Sequence, residues 1–348
     1  MNETIEKLKN KILPSDDELK NIIDSSSENM QNELFSAAVA VRKKVYANDV
    51  YIRGLTELTN YCKNDCFYCG IRKSNSNINR YRLTKDEIQK CCKDGYELGF
   101  RTFVLQGGED DYYTDDIMCG IINNIKSDFP DCAVTLSLGE KSRKTYRSYF
   151  DAGADRYLLR HETANTVHYS RLHPTVQSLN TRIECLYDLK DIGFQTGCGF
   201  MVGSPFQTTE NLIDDIKFIK EFKPHMVGIG PFIPHINTPF RDFETGSVRK
   251  TLILLSIIRL ILPNVLLPAT TALATVDPNG RKKGILAGAN VVMPNLSPAL
   301  HRADYTLYNN KKSFGTEGAE QISNLEKELN SIGYKISYTK GDFKGSVN

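Results

Sequence analysis

The sequence predicts an α/β fold, a (βα)8 TIM-type barrel that carries N-terminal helices and a short C-terminal extension. The first observation is a series of short apolar runs rich in β-branched residues, each followed by an amphipathic, charged stretch. The runs are nearly continuous rather than alternating, which indicates strands buried on both faces of a parallel sheet. The second observation is their number, because eight such units over about 250 residues are what this barrel requires.

The elements follow one another along the chain without a low-complexity tract or a linker between them. Ser15-Asp16-Asp17-Glu18 predicts a capped helix start, and apolar residues then recur at helical spacing through Val45. The predicted strands are Tyr51–Leu58, Thr102–Leu105, Ala133–Leu138, Tyr157–Leu159, Phe194–Val202, Met226–Ile229, Val265–Leu267 and Val291–Met293. We therefore expect a helical segment over residues 1–50, packed on a barrel over 51–305. The polar extension over 306–348 should add a helix and a strand and end in a frayed terminus.

Composition and charge exclude several classes of function. The 348 residues are 40% hydrophobic, so the chain is long enough to bury a large core. A net charge of +2 gives no electrostatic case for a nucleic-acid partner. The longest apolar stretch, Leu252–Leu262, is too short to span a bilayer, and the first residues lack the apolar core of a secretory signal. Because the apolar stretch is short, we expect no membrane partner. Nine cysteines without a secretory signal indicate the reducing cytoplasm.

Three of the cysteines, Cys62, Cys66 and Cys69, form a CxxxCxxC pattern directly after the first predicted strand. A [4Fe-4S] cluster needs one ligand per iron, so three thiolates leave one iron open to a ligand that is not protein. The alternative is a structural zinc ion, but no fourth Cys or His follows at zinc-finger spacing. The remaining cysteines are interpreted as small buried hydrophobic residues. They are Cys91, Cys92, Cys119, Cys132, Cys185 and Cys198.

Polar residues follow the predicted strands at the end where barrels of this kind place their active sites. After the second strand, Gln106-Gly107-Gly108-Glu109 offers glycines that let the backbone approach a ligand closely; an ordinary strand-to-helix turn is the alternative. Arg160-His161-Glu162 ends the fourth strand, where unpaired charges would be costly to bury. Arg182, at the start of a later helix, has a planar fork suited to a carboxylate, although a mutual Arg-Glu bridge would also explain these charges.

Two further sets of residues lie in predicted strands or directly after them. Gly197-Cys198-Gly199 lacks the spacing of a dinucleotide fingerprint and is interpreted as a strand flattened so that an adenine can lie against it. Thr270 and Thr271, together with Arg53 and Arg160, combine hydroxyls with cations and could hold an anion deep in the barrel. A packed barrel would fill this volume with branched apolar side chains, so the polar set predicts a ligand cavity.

The cysteine spacing, with aromatic Tyr68 before the last cysteine, resembles the loop of the radical S-adenosylmethionine (SAM) superfamily. The resemblance implies that the methionine part of SAM chelates the open iron of a [4Fe-4S] cluster. Electron transfer from the cluster would then yield a 5'-deoxyadenosyl radical. The resemblance also implies the residues that contact SAM. They are Tyr68, Gly108, Glu109, Ser137, Glu162, Arg182 and Met201.

Longer runs at almost every strand end resemble a narrower family, the HydE-type maturases of [FeFe]-hydrogenase. These runs are Asn79–Leu83, Val104–Tyr113, Thr135–Glu140, Ala152–Asn165, Met226–His235 and Pro268–Ala272. The resemblance implies assembly of the diiron subcluster of the hydrogenase H-cluster from a cysteine-bound iron carbonyl-cyanide precursor. It also implies a reductant such as ferredoxin or flavodoxin, and other maturases as partners. The implied substrate-lining residues are Arg53, Gln106, Thr135, Arg160, Thr270, Thr271, Met293 and Tyr305.

The sequence departs from one version of this family pattern, and other functions stay open. No cysteine follows Cys198, so the C-terminal region cannot hold a second cysteine-ligated cluster. One alternative is a radical SAM enzyme of the biotin synthase or methylornithine synthase type, which would act on a small organic or amino-acid-like substrate. The former would need further cluster cysteines at strand ends. Cys132 and Cys198 lie on strands, but the surroundings of Thr135, Arg160 and Thr270-Thr271 resemble an anion cavity more. The other alternative is a non-catalytic iron-sulfur carrier, which would leave Glu162 and Arg182 without a ligand.

Overall fold

Parallel strands form a ring at the centre of the computed structural model, which describes residues 3–312 and 317–345. The strands are β1 (Asp49–Ile52), β2 (Gly54–Thr59), β3 (Thr102–Gly107), β4 (Ala133–Ser137), β5 (Arg156–Leu158), β6 (Gln195–Cys198), β7 (Met201–Val202), β8 (Met226–Val227), β9 (Gly230–Pro231), β10 (Val291–Val292) and β11 (Lys335–Ser337). All six residues of β2 are buried, as expected for a strand that is covered on both faces.

The ring closes through one continuous set of parallel pairings. Strands β2, β3, β4, β5, β6 and β8 are hydrogen-bonded in that order. Single bridges continue the ring from Met226 to Leu266 and from Pro268 to Val291, and β10 then pairs with β1. The short pairs β1 and β2, β6 and β7, and β8 and β9 are halves of single barrel strands, interrupted by one or two residues. The predicted (βα)8 barrel is therefore confirmed, although its seventh strand makes only single bridges.

The helices lie between the strands and before the first of them. They are α1 (Glu3–Lys9), α2 (Asp16–Asp24), α3 (Glu28–Tyr46), α4 (Lys85–Glu97), α5 (Asp115–Asp128), α6 (Arg143–Asp151), α7 (Thr166–Leu172), α8 (Leu179–Ile192), α9 (Thr209–Phe222), α10 (Val248–Ile261), α11 (Thr271–Val276), α12 (Gly280–Leu286), α13 (Ala299–Arg302) and α14 (Ile322–Asn330). The Ser15 capping box is present, since Ser15 and Glu18 each accept a hydrogen bond from the other's backbone N–H. Helix α3 packs against α10 of the barrel.

The C-terminal part of the chain returns to the barrel rather than leaving it. Helix α14 precedes β11, which pairs in parallel with β1. Part of the expected extension, including Gly315 and the last three residues, lies outside the described residues. Within the described ranges, no helix is both long and apolar enough to cross a membrane.

Candidate active site

A cavity of about 330 Å³ opens at the carboxyl ends of the barrel strands. It brings together all but two of the residues that the family resemblances implied for the cluster, SAM and the substrate. Those lining it are Cys62, Cys66, Tyr68, Cys69, Gln106, Gly108, Glu109, Ser137, Arg160, Glu162, Arg182, Met201, Thr270, Thr271, Met293 and Tyr305. Residues far apart in the sequence meet here because parallel strands deliver their carboxyl ends to one face of the barrel.

Arg53 and Thr135 are the two exceptions, because they do not line the cavity. Thr135 lies two residues before Ser137 on β4, and Arg53 precedes β2, so both lie deeper in the barrel. Arg53 contacts Met226 Sδ at 2.9 Å. Two guanidinium nitrogens of Arg53 and the Thr135 hydroxyl are buried without a hydrogen-bond partner among the described residues. Both side chains occupy the barrel interior below the cavity wall instead of lining it, and a role for them in holding the substrate stays a prediction.

The loop that carries the three cysteines is held by contacts from several directions. The backbone N–H of Glu109 donates to Cys62 Sγ at 3.4 Å, and Phe67 N–H donates to the carbonyl of Leu172 at 3.0 Å. The Tyr68 hydroxyl lies 3.1 Å from His173 Nε2. The loop is thus fixed at its first cysteine and at the aromatic pair between the other two.

Arg80 ties together the chain segments on both sides of the same loop, a role that the sequence reasoning did not assign. Its guanidinium donates to the carbonyls of Ile71 at 2.9 Å, Arg72 at 2.7 Å and Asn75 at 3.0 Å, and also to that of Asn60. Only the planar five-donor fork of arginine can satisfy four carbonyls in this way. Arg80 lies in the run Asn79–Leu83, which resembles the HydE-type maturases, but the sequence alone did not reveal its partners.

The thiols suit a cluster better than a single ion. All three are free, and burial raises the pKa of Cys66 to about 12 and that of Cys69 well above its ordinary value. They therefore stay protonated unless a metal stabilises the thiolates. Among the described residues, no three His, Cys, Asp or Glu side chains converge on one point as a single metal ion requires. Three free thiols on one loop are the donor set that a [4Fe-4S] cluster with one open iron takes, so the residues present fit that group.

The glycine-rich segment after β3 packs directly on the cysteine loop. A Cβ at Gly108 would lie 2.1 Å from the Tyr61 carbonyl oxygen and 2.8 Å from Cys62 Cβ, so only glycine fits there. The following Glu109 carboxylate accepts a hydrogen bond from the backbone N–H of Glu140 at 3.1 Å. This segment therefore brings its backbone against the cysteines and its carboxylate to the cavity wall.

The charges of the cavity form three close ion pairs, and a fourth, longer pair joins Glu109 to Lys63 at 3.9 Å. Arg160 Nη2 lies 3.0 Å from Glu162 Oε2, and Arg182 Nε lies 2.7 Å from Glu140 Oε1. The bridge expected as the alternative to ligand binding therefore joins Glu162 to Arg160 and not to Arg182. The polar atoms of both pairs are buried and lack a well-aligned hydrogen bond. Donors and acceptors of this kind remain available to a ligand.

The third pair, Lys311 with Glu57, was missed by the sequence reasoning. Lys311 Nζ lies 2.6 Å from Glu57 Oε1, and Asn295 donates to the other carboxylate oxygen at 3.0 Å. Glu57 is the one charged residue of strand β2 and is fully buried, which was a usable signal because such a charge needs a partner. Its partner could not be inferred, since Lys311 lies 254 residues later in a polar stretch.

The segment of residues 303–312 covers the cavity. The carbonyl of Leu307 accepts from Gly70 N–H at 2.8 Å, and Asn309 N–H donates to the carbonyl of Pro234 at 3.0 Å. The segment is therefore tied both to the cysteine loop and to the loop after β9. It contributes Tyr305, Leu307, Tyr308 and Lys311 to the lining, and the Tyr305 hydroxyl accepts from Gln106 at 3.4 Å.

The threonine pair faces the cavity from the start of α11. Thr270 Oγ1 makes a long contact of 3.4 Å with the carbonyl of Ile229, and Thr271 Oγ1 donates to Glu317 at 3.0 Å. Glu317 is itself paired with Arg281. Thr270 is thus the more weakly engaged of the two hydroxyls.

The interpretation of Gly197-Cys198-Gly199 as a surface for an adenine is wrong. None of the three lines the cavity. A Cβ at Gly199 would lie 2.0 Å from the carbonyl oxygen of Gly228, and one at Gly197 would lie 2.7 Å from Leu158 Cδ1. These glycines allow close packing of neighbouring strands. Cys198 is fully buried and, like Cys132, does not line the cavity, so neither is placed to hold a second cluster there.

Comparisons with known proteins agree with the geometry. The model of the radical SAM superfamily matches residues 56–219. The chain is 43% identical to the [FeFe] hydrogenase maturase subunit HydE of Thermotoga maritima, over 86% of each chain. It is 30% identical to the 3-methylornithine synthase of Methanosarcina acetivorans, over 83% of each. The crystal structure of a methylornithine synthase (PylB) superposes with a TM-score of 0.84 at 27% identity, covering 96% of this chain and 97% of that one.

Proposed function

The chain belongs to the radical SAM superfamily and, within it, to the HydE-type hydrogenase maturases, and from this membership we propose its reaction and its site residues. The protein is an enzyme that uses a [4Fe-4S] cluster and SAM in the maturation of [FeFe]-hydrogenase. We propose that its substrate is a small organometallic or amino-acid-like molecule, such as a cysteine-bound iron carbonyl-cyanide unit. The observation that carries the proposal is the single cavity that collects three free cysteines and three ion pairs at the carboxyl ends of the strands.

Each part of the cavity has an assigned task in this proposal. Cys62, Cys66 and Cys69 hold the cluster, which when bound supplies the electron that cleaves SAM to a 5'-deoxyadenosyl radical. Glu162 and Arg182 orient the charged groups of SAM. The hydroxyls of Thr270 and Thr271 face the substrate from the far wall.

Further residues assist in contacting SAM or the substrate. Tyr68, Gly108, Glu109, Ser137 and Met201 contact SAM, and Gln106, Arg160, Met293 and Tyr305 contact the substrate. The segment of residues 303–312 covers the cavity and keeps water out of it, which protects a reactive intermediate. We further propose that the enzyme works in the cytoplasm with a ferredoxin- or flavodoxin-type reductant and with other maturases.

Anaerobic reconstitution tests the proposal. The protein is loaded with iron and sulfide, mixed with SAM and dithionite, and assayed for 5'-deoxyadenosine with and without the synthetic iron-cysteine complex. We expect SAM cleavage, stimulation by the complex, and restored hydrogen evolution when the product and the other maturases are added to apo-hydrogenase. A protein that binds the cluster but never cleaves SAM would contradict the proposal and favour an iron-sulfur carrier.

The second candidate function is a methylornithine synthase-like reaction. It is favoured by the 30% identity to the 3-methylornithine synthase and by the close superposition with PylB. Mass spectrometry of the same reconstituted enzyme with free amino acids discriminates the two. Formation of 3-methylornithine, without stimulation by the iron-cysteine complex, would support the second candidate.

A further inference from the structure

The backbone at Glu162 has an unusual conformation for its residue type. Its φ of 67° lies in the left-handed region, which a residue with a side chain rarely adopts. Such strain persists only where surrounding contacts enforce it, and it concentrates at functional positions. In this conformation the backbone turns after β5 instead of continuing along the strand. The Glu162 carboxylate therefore faces the cavity.

Two buried polar side chains hold this turn from the side of β5 that faces away from the cavity. His161 and Asp215 are both fully buried, and His161 Nε2 lies 3.2 Å from Asp215 Oδ1. His161 Nδ1 accepts a hydrogen bond from Gly199 N–H at 3.3 Å. Asp215 Oδ1 accepts from Ala164 N–H at 2.6 Å. The residues directly before and two after Glu162 are therefore tied to the barrel and to helix α9.

The hydrogen bonds fix the tautomer of His161. Because Nδ1 accepts from Gly199, a neutral imidazole carries its proton on Nε2 and donates it to Asp215. Burial lowers the pKa of His161 to about 3, so the ring is neutral at ordinary pH. The dyad lies on the side of β5 away from the cavity and does not line it. It is not placed to contact a substrate.

Gly199 completes the set of hydrogen bonds that holds the turn at Glu162. Its carbonyl accepts from Glu162 N–H at 3.0 Å while its own N–H donates to His161. One strand residue thus holds both His161 and Glu162 in register. An apolar pair in place of the dyad would fill the same volume but would leave the backbone N–H groups of Gly199 and Ala164 without acceptors.

We propose that His161 and Asp215 are positioning residues that hold Glu162 in its left-handed conformation and so direct its carboxylate toward SAM. The inference rests on the proposed function, in which Glu162 orients SAM. His161 and Asp215 would thus affect the affinity for SAM although they do not contact it. Packing alone would not give a buried pair this role.

The test compares Asp215→Leu with Asp215→Asn in cluster-loaded protein. Asparagine keeps an oxygen that can accept from both His161 and Ala164, whereas leucine removes it. We expect Asp215→Leu to weaken SAM binding about tenfold or more by equilibrium titration, and Asp215→Asn to stay within about twofold of wild type. Ile216→Ala, a buried change on the same helix, is the matched control and should lower the melting temperature without changing the Kd for SAM.

A double-mutant cycle separates positioning from general destabilisation. In a Glu162→Ala background, Asp215→Leu should change the Kd by less than about twofold, because its effect passes through the missing carboxylate. In the protein without cluster, peptides spanning residues 160–165 should exchange amide hydrogens faster in Asp215→Leu than in Asp215→Asn. If Asp215→Leu does not accumulate, Asp215→Ala removes the same acceptor without added bulk.

The outcomes are distinguishable from a failure of the proposed function. An unchanged Kd in Asp215→Leu, an equal loss in the Glu162→Ala background, or an equal loss in Ile216→Ala would each overturn this inference while wild-type SAM binding stands. Absence of SAM binding by reconstituted wild-type protein would overturn the proposed function and the inference together.

Discussion

Replacing Arg182 by alanine should weaken SAM binding without affecting cluster loading. The side chain is 9% exposed, so solvent screens its interactions little. A hydrogen bond to a charged group typically contributes about 1.5 to 3 kcal/mol, which corresponds to a loss of roughly ten- to hundredfold in affinity. Arg182 is already 2.7 Å from Glu140, so the measured loss also contains the change in that pair.

Glu140 supplies the comparison that separates these two contributions. If Arg182 serves only as the partner of Glu140, then Glu140→Gln should reduce SAM affinity about as much as Arg182→Ala does. If Arg182 binds the SAM carboxylate, Glu140→Gln should leave the affinity unchanged or improve it, because a competing acceptor has been weakened. The assay is equilibrium titration of SAM into cluster-loaded protein, with iron and sulfide determined on the same samples. Equal Kd values for Arg182→Ala and wild type at equal iron content would refute the assignment.

Three further changes test the remaining parts of the site. Cys66→Ala should abolish SAM cleavage because an iron loses its ligand; full activity with an unaltered cluster spectrum would contradict this. Arg80→Lys should lower the iron bound per chain, because a single ammonium cannot satisfy the four carbonyls that Arg80 holds, and iron analysis after reconstitution measures the effect. Thr270→Val combined with Thr271→Val should spare uncoupled SAM cleavage but stop hydrogenase maturation, since apolar contacts cannot replace lost polar recognition. Normal hydrogen evolution by apo-hydrogenase matured with that double variant would refute the role of the two hydroxyls.

The fold and the composition of the site could be predicted because both depend on local sequence. Continuous β-branched runs specify strands buried on both faces, and a parallel barrel then gathers their carboxyl ends. Cys62, Glu162 and Thr270 could thus be assigned to one face before any contact was known. The Ser15 capping box was equally local, since its two hydrogen bonds join residues three apart.

The partners within the site could not be predicted, because they depend on tertiary distance. The sequence placed Glu162 and Arg182 near the same cavity and left open a mutual bridge between them as the alternative to ligand binding. In the structure, Glu162 pairs within its own turn and Arg182 pairs with Glu140 from the neighbouring strand end. The depth of Arg53 was likewise hidden, since strand order alone does not say how far below the rim a side chain lies.

The pattern of ion pairs limits how the cavity can recognise an anion. Arg160, Arg182 and Lys311 each have a carboxylate within 3.0 Å, so the cations at the rim contribute little net positive field while those pairs persist. Arg53 differs, because two of its nitrogens lack hydrogen-bond partners among the described residues, as does the buried hydroxyl of Thr135. Burial lowers the pKa of Arg53, which is the cost of holding that charge without a counter-ion. A bound anion would relieve this cost, so we expect Arg53 in the barrel interior to select for negative charge. The ion-paired residues Arg160, Arg182 and Lys311 should instead select the shape and orientation of the ligand.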